Sequence, residues 1–433
     1  MTTPVETQPI SRVQLRKTAA ATVVGNFIEF YDFTVYGTLT ALVFGRLFFA
    51  TEDTTVATFL TLATFGVGFL SRPLGGIVFG HFGDKLGRKP VLVMSLLTMG
   101  GATALMGLLP TYHAAGWIGP VLLVCLRFVQ GLGIGGEWGG AITLMLENAP
   151  EKKRGFFGAL VQTGSGLGII LATGMVTVLA TALTPEQLDA WGWRIPLLFS
   201  LLLVVVGLII RARIEESPEF HRMQRKSDVS RAPIWETLRR HWAIVLLAIG
   251  MYIGIAAFGF TQGVYYVSYL STTVQVSEAV ATTANLVAAA FYVLAIVLGG
   301  YLSDKLGRVR TYILGGILLI PAPFIMFAGG ATGNTMSIYI TMAIVGVMTG
   351  VGYGSQAALF FELFPTRVRY TGISLGFQIA AVLGGGITPL LAAVLTESTG
   401  STLGISFYLA GLAVLLILCT LFAPRIVRKE AGR

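Results

Sequence analysis

Five ionisable side chains, Glu29, Asp32, Arg72, Arg127 and Glu137, lie in stretches otherwise almost free of charge. A carboxylate in such surroundings that alternates between a protonated and an ion-paired form can couple the movement of a second solute to a proton gradient. Glu29, Asp32 and Tyr36 stand at i, i+3 and i+7, so on a helix they share one face, with Asn26 alongside. Arg127, Gln130 and Glu137 occupy one broad side of a second helix, and Arg127 is the natural switchable partner of the acids. Asp32 is the first candidate for proton carrier and Glu29 the next. The alternative is a permanent buried pair that only fixes helix register. Arg72 has two readings. Its guanidinium can hold a ligand carboxylate by paired hydrogen bonds, or it can bond neighbouring backbone carbonyls near the inner leaflet.

The elements that carry these residues follow from composition. Of 433 residues, 54% are hydrophobic and 12% charged, against about 25% charged in soluble chains. A helix needs about 20 apolar residues to cross a bilayer, and twelve stretches qualify: 18–45, 56–80, 90–110, 117–146, 155–182, 192–210, 242–271, 279–301, 311–330, 336–362, 370–396 and 402–423. They are continuous, as Leu201 to Val206 illustrates, and lack the short alternating segments of a barrel. With the amino terminus inside, twenty-six of the 30 lysines and arginines fall in cytoplasmic segments, which is the positive-inside pattern. Arg46 and Arg194 alone fall outside. The net charge of +9 is therefore a topology signal rather than a nucleic-acid footprint. The expected fold is an all-α, multi-pass protein of the cell (plasma or inner) membrane. Twelve transmembrane helices form two pseudo-symmetric six-helix bundles, and both termini are cytoplasmic.

Several chemistries are disfavoured. The first seventeen residues lack the apolar core of a removable signal peptide. Cys125 and Cys419 give neither a disulfide framework nor a zinc pattern. Gly131 to Gly136 fits a dinucleotide fingerprint formally, but no strand surrounds it, and no Gly-Lys pair marks a P-loop. No enzyme activity, cofactor, metal or ATP is expected.

The chain divides into a tail at 1–17, a bundle at 18–210, a cytoplasmic linker at 211–241, a second bundle at 242–423 and a tail at 424–433. The halves echo each other. Gly80-His-Phe-Gly-Asp84-Lys85-Leu-Gly87-Arg88 returns as Gly300-Tyr-Leu-Ser-Asp304-Lys305-Leu-Gly307-Arg308, followed by Arg310. Glu147-Asn-Ala-Pro150 with Arg154 returns as Glu362-Leu-Phe-Pro365 with Arg369. Such repeats point to a transporter built from homologous halves.

These motifs resemble the major facilitator superfamily over the whole chain. Gly25 to Gly37, Ser71-Arg72-Pro73-Leu-Gly75-Gly76, Gly135-Gly136-Glu137-Trp138-Gly139-Gly140 and Trp193-Arg194-Ile-Pro196 are similar to its metabolite:proton symporters. The resemblance implies import of organic acids such as α-ketoglutarate, citrate or shikimate, or of zwitterions such as proline and betaine. Arg127-Phe-Val-Gln130-Gly131 resembles the span 4 motif associated with proton coupling. The resemblance also implies a cytoplasmic gate. In it Asp84 faces the start of span 11, Arg88 pairs with Glu147, and Arg308 or Arg310 pairs with Glu362. A solvated, topology-setting surface is the plainer account, since exposed pairs contribute only about 0–1 kcal/mol.

Further candidates for a substrate cavity are Gln162, Gln262, Tyr265, Tyr269, Asn285, Tyr292, Tyr353, Gln356 and Gln378, each equally suited to an interhelical hydrogen bond or to packing. The leading expectation is a monomeric importer of a small organic carboxylate by proton symport through alternating access. A zwitterion symporter, a drug or metabolite antiporter and a non-transporting metabolite sensor are the alternatives. Span 5 lacks the glycine-proline pair of drug antiporters, and the nine-residue tail after Pro424 disfavours a signalling domain.

Overall fold

The computed structural model describes residues 11–49, 54–217, 220, 222 and 232–431, and all described elements are helical. The first half contains α1 (Arg12–Leu39), α2 (Thr54–Leu86), α3 (Arg88–Met106), α4 (Ile118–Asn148), α5 (Arg154–Ala182) and α6 (Arg194–Ala212). The second contains α7 (Trp242–Phe260), α8 (Glu278–Leu306), α9 (Arg308–Leu319), α10 (Thr335–Leu363), α11 (Arg369–Ala380) and α12 (Leu403–Ala431). Among the described residues, ten helical stretches are long and apolar enough to cross a membrane. Helices α1 and α2 add 28 and 33 residues. Arg225, Lys226, Arg231 and Arg433, counted above for orientation, lie outside the described residues.

At 1.5 Å per residue, the 31 residues of α4 extend roughly 46 Å. That exceeds a hydrocarbon core of about 30 Å, so the helix tilts or protrudes. Three helices pass through a π-helical turn before continuing: α1 at Thr40–Phe44, α7 at Thr261–Tyr266 and α11 at Ala381–Gly386. The first two occupy equivalent places in the two halves.

The halves pack by one scheme. In the first lobe α4 lies against α2 and α3, and α1 against α5 and α6; in the second, α10 lies against α8 and α9, and α7 against α11 and α12. The lobes meet along two seams related by the same exchange, α2 with α11 and α5 with α8. Lipid is as apolar as leucine, so close backbone approach supplies much of the adhesion. A methyl group on Gly133 of α4 would lie 2.6 Å from the Met99 nitrogen of α3. On α6, Pro196, Leu197, Ser200, Val204, Gly207 and Arg211 form the buried stripe, while Leu201, Leu202, Val205, Val206 and Ile209 are exposed towards lipid.

One boundary differs from the sequence expectation. Helix α6 continues to Ala212, and Arg211, assigned above to the solvated linker, is buried inside the first lobe. Its charge is compensated there, as the next section describes.

Candidate functional site

The seam between the lobes holds a small cavity of about 30 Å³, lined by Glu29, Phe30 and Phe33 of α1, Arg72 of α2, Tyr252 and Phe260 of α7, and Phe377 and Ala381 around the end of α11. That space suits one or two waters. Among the described residues Arg72 bonds no backbone carbonyl, unlike the simpler expectation. Its guanidinium lies 4.2 Å from the Phe33 ring centre and 4.5 Å from that of Phe69. Desolvated cation–π contacts of this kind contribute about 2 kcal/mol. Phe33, Phe69 and Phe260 meet edge to face at 5.0–5.6 Å, which joins both lobes beside the arginine. Glu29 Oε2 and Arg72 Nε are buried without a hydrogen-bond partner among the described residues. A carboxylate and a guanidinium thus face one cavity with capacity to spare.

A second aromatic group flanks the cavity. Trp138 of α4 stacks on Phe377 at 3.9 Å, and Phe377 stacks on Tyr252 at 4.1 Å. Trp138 Nε1 donates to Gln162 Oε1 at 2.6 Å, and Gln162 Nε2 donates to the Tyr353 carbonyl across the seam at 2.8 Å.

Asp32 lies in the interior of the first lobe, where α1, α3 and α6 converge. Ser200 Oγ donates to Asp32 Oδ1 at 2.5 Å, and Thr103 Oγ1 lies 3.0 Å from Oδ2. Gln130 Nε2 donates to Thr103 at 2.7 Å and Gln130 Oε1 accepts from Arg127. Arg127 therefore reaches Asp32 through two intervening side chains. Its guanidinium also sits 3.9 Å over the Tyr36 ring, whose hydroxyl donates to Thr64 at 2.9 Å.

Glu137 belongs elsewhere. Ten residues beyond Arg127 on one helix is roughly 15 Å in depth, and there Glu137 forms an ion pair with Arg211, which also donates to the Leu92 carbonyl. Ser95 Oγ lies 3.1 Å from the other Glu137 oxygen. The expected grouping of Glu137 with Arg127 is corrected accordingly. No signal in the sequence marked Arg211, because it closes an apolar run next to a polar segment.

At one end of the bundle the repeated motifs interlock the lobes. Asp84, at the end of α2, accepts from the backbone nitrogens of Tyr370 at 3.2 Å and Thr371 at 2.9 Å and from the Thr371 hydroxyl at 2.8 Å, which places it on the first turn of α11. Asp304, at the end of α8, accepts from Gly155 and Phe156 nitrogens, each at 2.8 Å, on the first turn of α5. Helix amino termini favour anions. Glu147 bridges Arg88 at 3.1 Å and Arg369 of the other lobe at 3.6 Å. Of the two alternatives for Glu362, Arg308 is the partner, at 3.2 Å, and it also holds Asp304 at 2.6 Å. Arg310 is exposed, as are Lys85 and Lys305. Arg154 and Arg369 lie 4.9 Å and 4.0 Å from the ring centre of Phe361.

Glycines set these ends. A methyl group on Gly80 would come 2.8 Å from Thr371 Cα, and Gly87 and Gly307 take φ of +114° and +95°, which glycine adopts without strain.

The remaining candidates divide by position. Asn26 Nδ2 donates to the Val161 carbonyl at 2.8 Å and ties α1 to α5. Gln378 Nε2 lies 3.4 Å from the Ile134 and Gly135 carbonyls across the seam. Tyr353 stacks on Tyr292 at 5.7 Å, and both amide atoms of Gln356 are buried without hydrogen-bond partners among the described residues. Tyr265 and Tyr269 pack with Tyr266 and Phe327 in the core of the second lobe, so they do not line the inter-lobe cavity. Gln262 lies in the π-helical turn after α7, and Asn285 is half-buried on α8. Sequence reasoning missed Phe33, Phe69, Tyr252, Phe260 and Phe377, since aromatic residues are common throughout these helices.

Two pseudo-symmetric lobes that meet around a buried charged cavity and interlock at one end are the layout of a secondary transporter. The chain belongs to the Major Facilitator Superfamily, whose sequence profile matches residues 22–375 and 251–432. It is a multi-pass membrane transport protein and not an enzyme.

Its relatives narrow the resemblance. The chain is 38% identical to the shikimate transporter of Escherichia coli K12, covering 92% of each chain, and 35% identical to the proline/betaine transporter of Salmonella typhimurium LT2, covering 93% of this chain and 82% of that one. Among solved structures, the proton:xylose symporter XylE bound to 6-bromo-6-deoxy-D-glucose superposes with a TM-score of 0.79 at 15% identity over 96% of each chain, a likeness of fold.

Proposed function

We propose that this protein is a proton-driven importer of a small organic carboxylate, working as a monomer through alternating access. Twelve spans with both termini cytoplasmic complete the topology. The observation that carries the reading is the Glu29–Arg72 pair of groups facing one inter-lobe cavity, which is water-sized with the lobes closed and must widen to admit a substrate as they move apart. Arg72, seated against the near-perpendicular Phe33 and Phe69 rings, has a guanidinium on the cavity wall, and its planar fork suits bidentate recognition of a substrate carboxylate. Protonation of Glu29 or Asp32 offsets the negative charge brought in by the substrate. In this reading Asp32 exchanges its proton as the Thr103–Gln130–Arg127 relay rearranges, whereas Glu137 stays paired with Arg211 as scaffold.

The cytoplasmic contacts of Asp84, Arg88, Glu147 and Arg369, with those of Asp304, Arg308 and Glu362, form the inner gate that releases as the lobes rock. With one proton per carboxylate the cycle moves no net charge, so the inward pH gradient drives it, and each pH unit supplies about 1.4 kcal/mol, enough for about tenfold accumulation. No nucleotide is needed for that.

The similarity to a shikimate transporter supports a carboxylate cargo. A zwitterion is the second reading, favoured by the presence of both charge signs in the cavity and by the similarity to a proline/betaine transporter. Purified protein in proteoliposomes decides between them. Under an inward proton gradient the expected result is accumulation of shikimate over proline and betaine, abolished by a protonophore. Uptake insensitive to the protonophore, or faster for betaine, would overturn the respective half of the proposal.

A further inference from the structure

The linker helix Pro233–Arg240 has two unlike sides. Pro233 and Thr237 are buried, and the helix packs against α2, α7, α11 and the turn Thr366–Val368. Glu236 on that helix lies 3.8 Å from Arg367 in the same turn. The opposite side carries Trp235 at 65% exposure, Leu238 at 47% and Trp242 at 58%. Trp235 and Leu238 stand at i and i+3 on one face of the helix, and Trp242 opens α7 just beyond the non-helical His241. Arg239 and Arg240 are exposed beside it.

The height of this stripe is fixed by chain continuity. Only His241 separates the helix from Trp242, the first residue of the membrane-crossing stretch Trp242–Thr272. Two exposed tryptophans at that level match the preference of indole for the membrane–water boundary. A short amphipathic helix with an apolar stripe and arginines at its border lies in the plane of that boundary, with its stripe among the upper acyl carbons and its cations among the headgroups.

We propose that the linker helix is a docking surface for anionic phospholipid, with Arg239 and Arg240 reading the headgroup phosphates and Trp235, Leu238 and Trp242 seated in the leaflet below. Charge complementarity selects the occupant, because a zwitterionic headgroup offers no net attraction to the two arginines. Each basic residue near an anionic surface is worth about a fivefold preference. The buried side of the same helix, through Glu236 and Arg367, touches the turn that leads into α11 and its contact with Asp84.

The test uses the full chain in vesicles of phosphatidylcholine, with a fixed fraction of either brominated phosphatidylglycerol or brominated phosphatidylcholine, and reads tryptophan quenching. The wild type should be quenched more strongly by the anionic lipid, and Trp235→Phe should remove much of that excess. The excess should vanish in the Arg239→Ala/Arg240→Ala variant and at 1 M salt, and persist in Arg428→Ala, which removes another exposed arginine. An unchanged excess in the double variant overturns the proposal, as does its equal loss in Arg428→Ala, which would reveal only general basic charge. Quenching unaffected by Trp235→Phe would mean that the stripe faces water or a protein instead.

Discussion

Replacing Arg211 by methionine isolates the buried pair with Glu137. The substitution keeps an unbranched stem of similar volume but removes the guanidinium that Glu137 and the Leu92 carbonyl both bind. Glu137 is then a buried carboxylate with Ser95 as its nearest donor, at 3.1 Å. Stranding one partner of a buried ion pair costs about 3–5 kcal/mol, a loss of roughly 150- to 5,000-fold in the ratio of folded to unfolded protein. Glu137→Leu should cost a similar amount by stranding the arginine. The double variant Glu137→Leu/Arg211→Met removes both charges together, and apolar replacements of matching volume are often neutral or stabilising. Its stability should return to within about 1 kcal/mol of wild type, with a coupling term of about 5 kcal/mol or more. Unfolding by sodium dodecyl sulfate in dodecylmaltoside micelles, followed by helical ellipticity, measures all four corners of the cycle. If the double variant loses the sum of the two single losses, the pair is not a structural unit and the scaffold role assigned to Glu137 is wrong. The same double variant should keep protonophore-sensitive uptake.

Asp84→Asn should retain measurable substrate binding but cut transport by about tenfold or more, because the amide has one acceptor oxygen: at least one of the bonds from the Tyr370 and Thr371 nitrogens is lost and the rest lose an ionised acceptor; normal initial uptake rates in vesicles would remove the gate role. Asp32→Asn should abolish accumulation against a gradient while leaving substrate exchange across the membrane intact, read as counterflow of labelled substrate, and unimpaired acid-driven accumulation would point the coupling elsewhere. Arg72→Lys keeps the charge but loses the planar fork and its seat between Phe33 and Phe69, so the apparent affinity for a carboxylate should fall about tenfold with less effect on maximal rate. Equal affinity in binding titrations would refute recognition by Arg72.

The repeats made the large-scale design readable. Charge asymmetry and the Asp84/Asp304 echo led to two homologous halves, and Arg88 with Glu147 followed from the resemblance. What could not be read was which buried charge meets which. Helical spacing puts Arg127 and Glu137 on one side of α4, but spacing along one helix says nothing about the partner helix at each depth. There Gln130 and Tyr36 meet the first, and Arg211 the second. Arg72 misled for a related reason. Its nearest neighbours in sequence suggested carbonyls, whereas Phe33 comes from another helix and Phe69 from the preceding turn of its own. Tyr265 and Tyr269 show the converse: polar tips on an aromatic body look like cavity residues in a sequence, and their rings pack together with Phe327.

The two capping aspartates have a consequence for how the molecule fails. Each fastens the end of a helix from one lobe to the beginning of a helix from the other, and the pair is related by the exchange of halves. A rocking movement about the axis between them must unfasten both at once, since either one intact would pin a hinge line off-centre. Damage to one fastening should therefore yield a slowed transporter that also slips, leaking protons or cargo, whereas damage to both should leave it idle with that end of the seam agape.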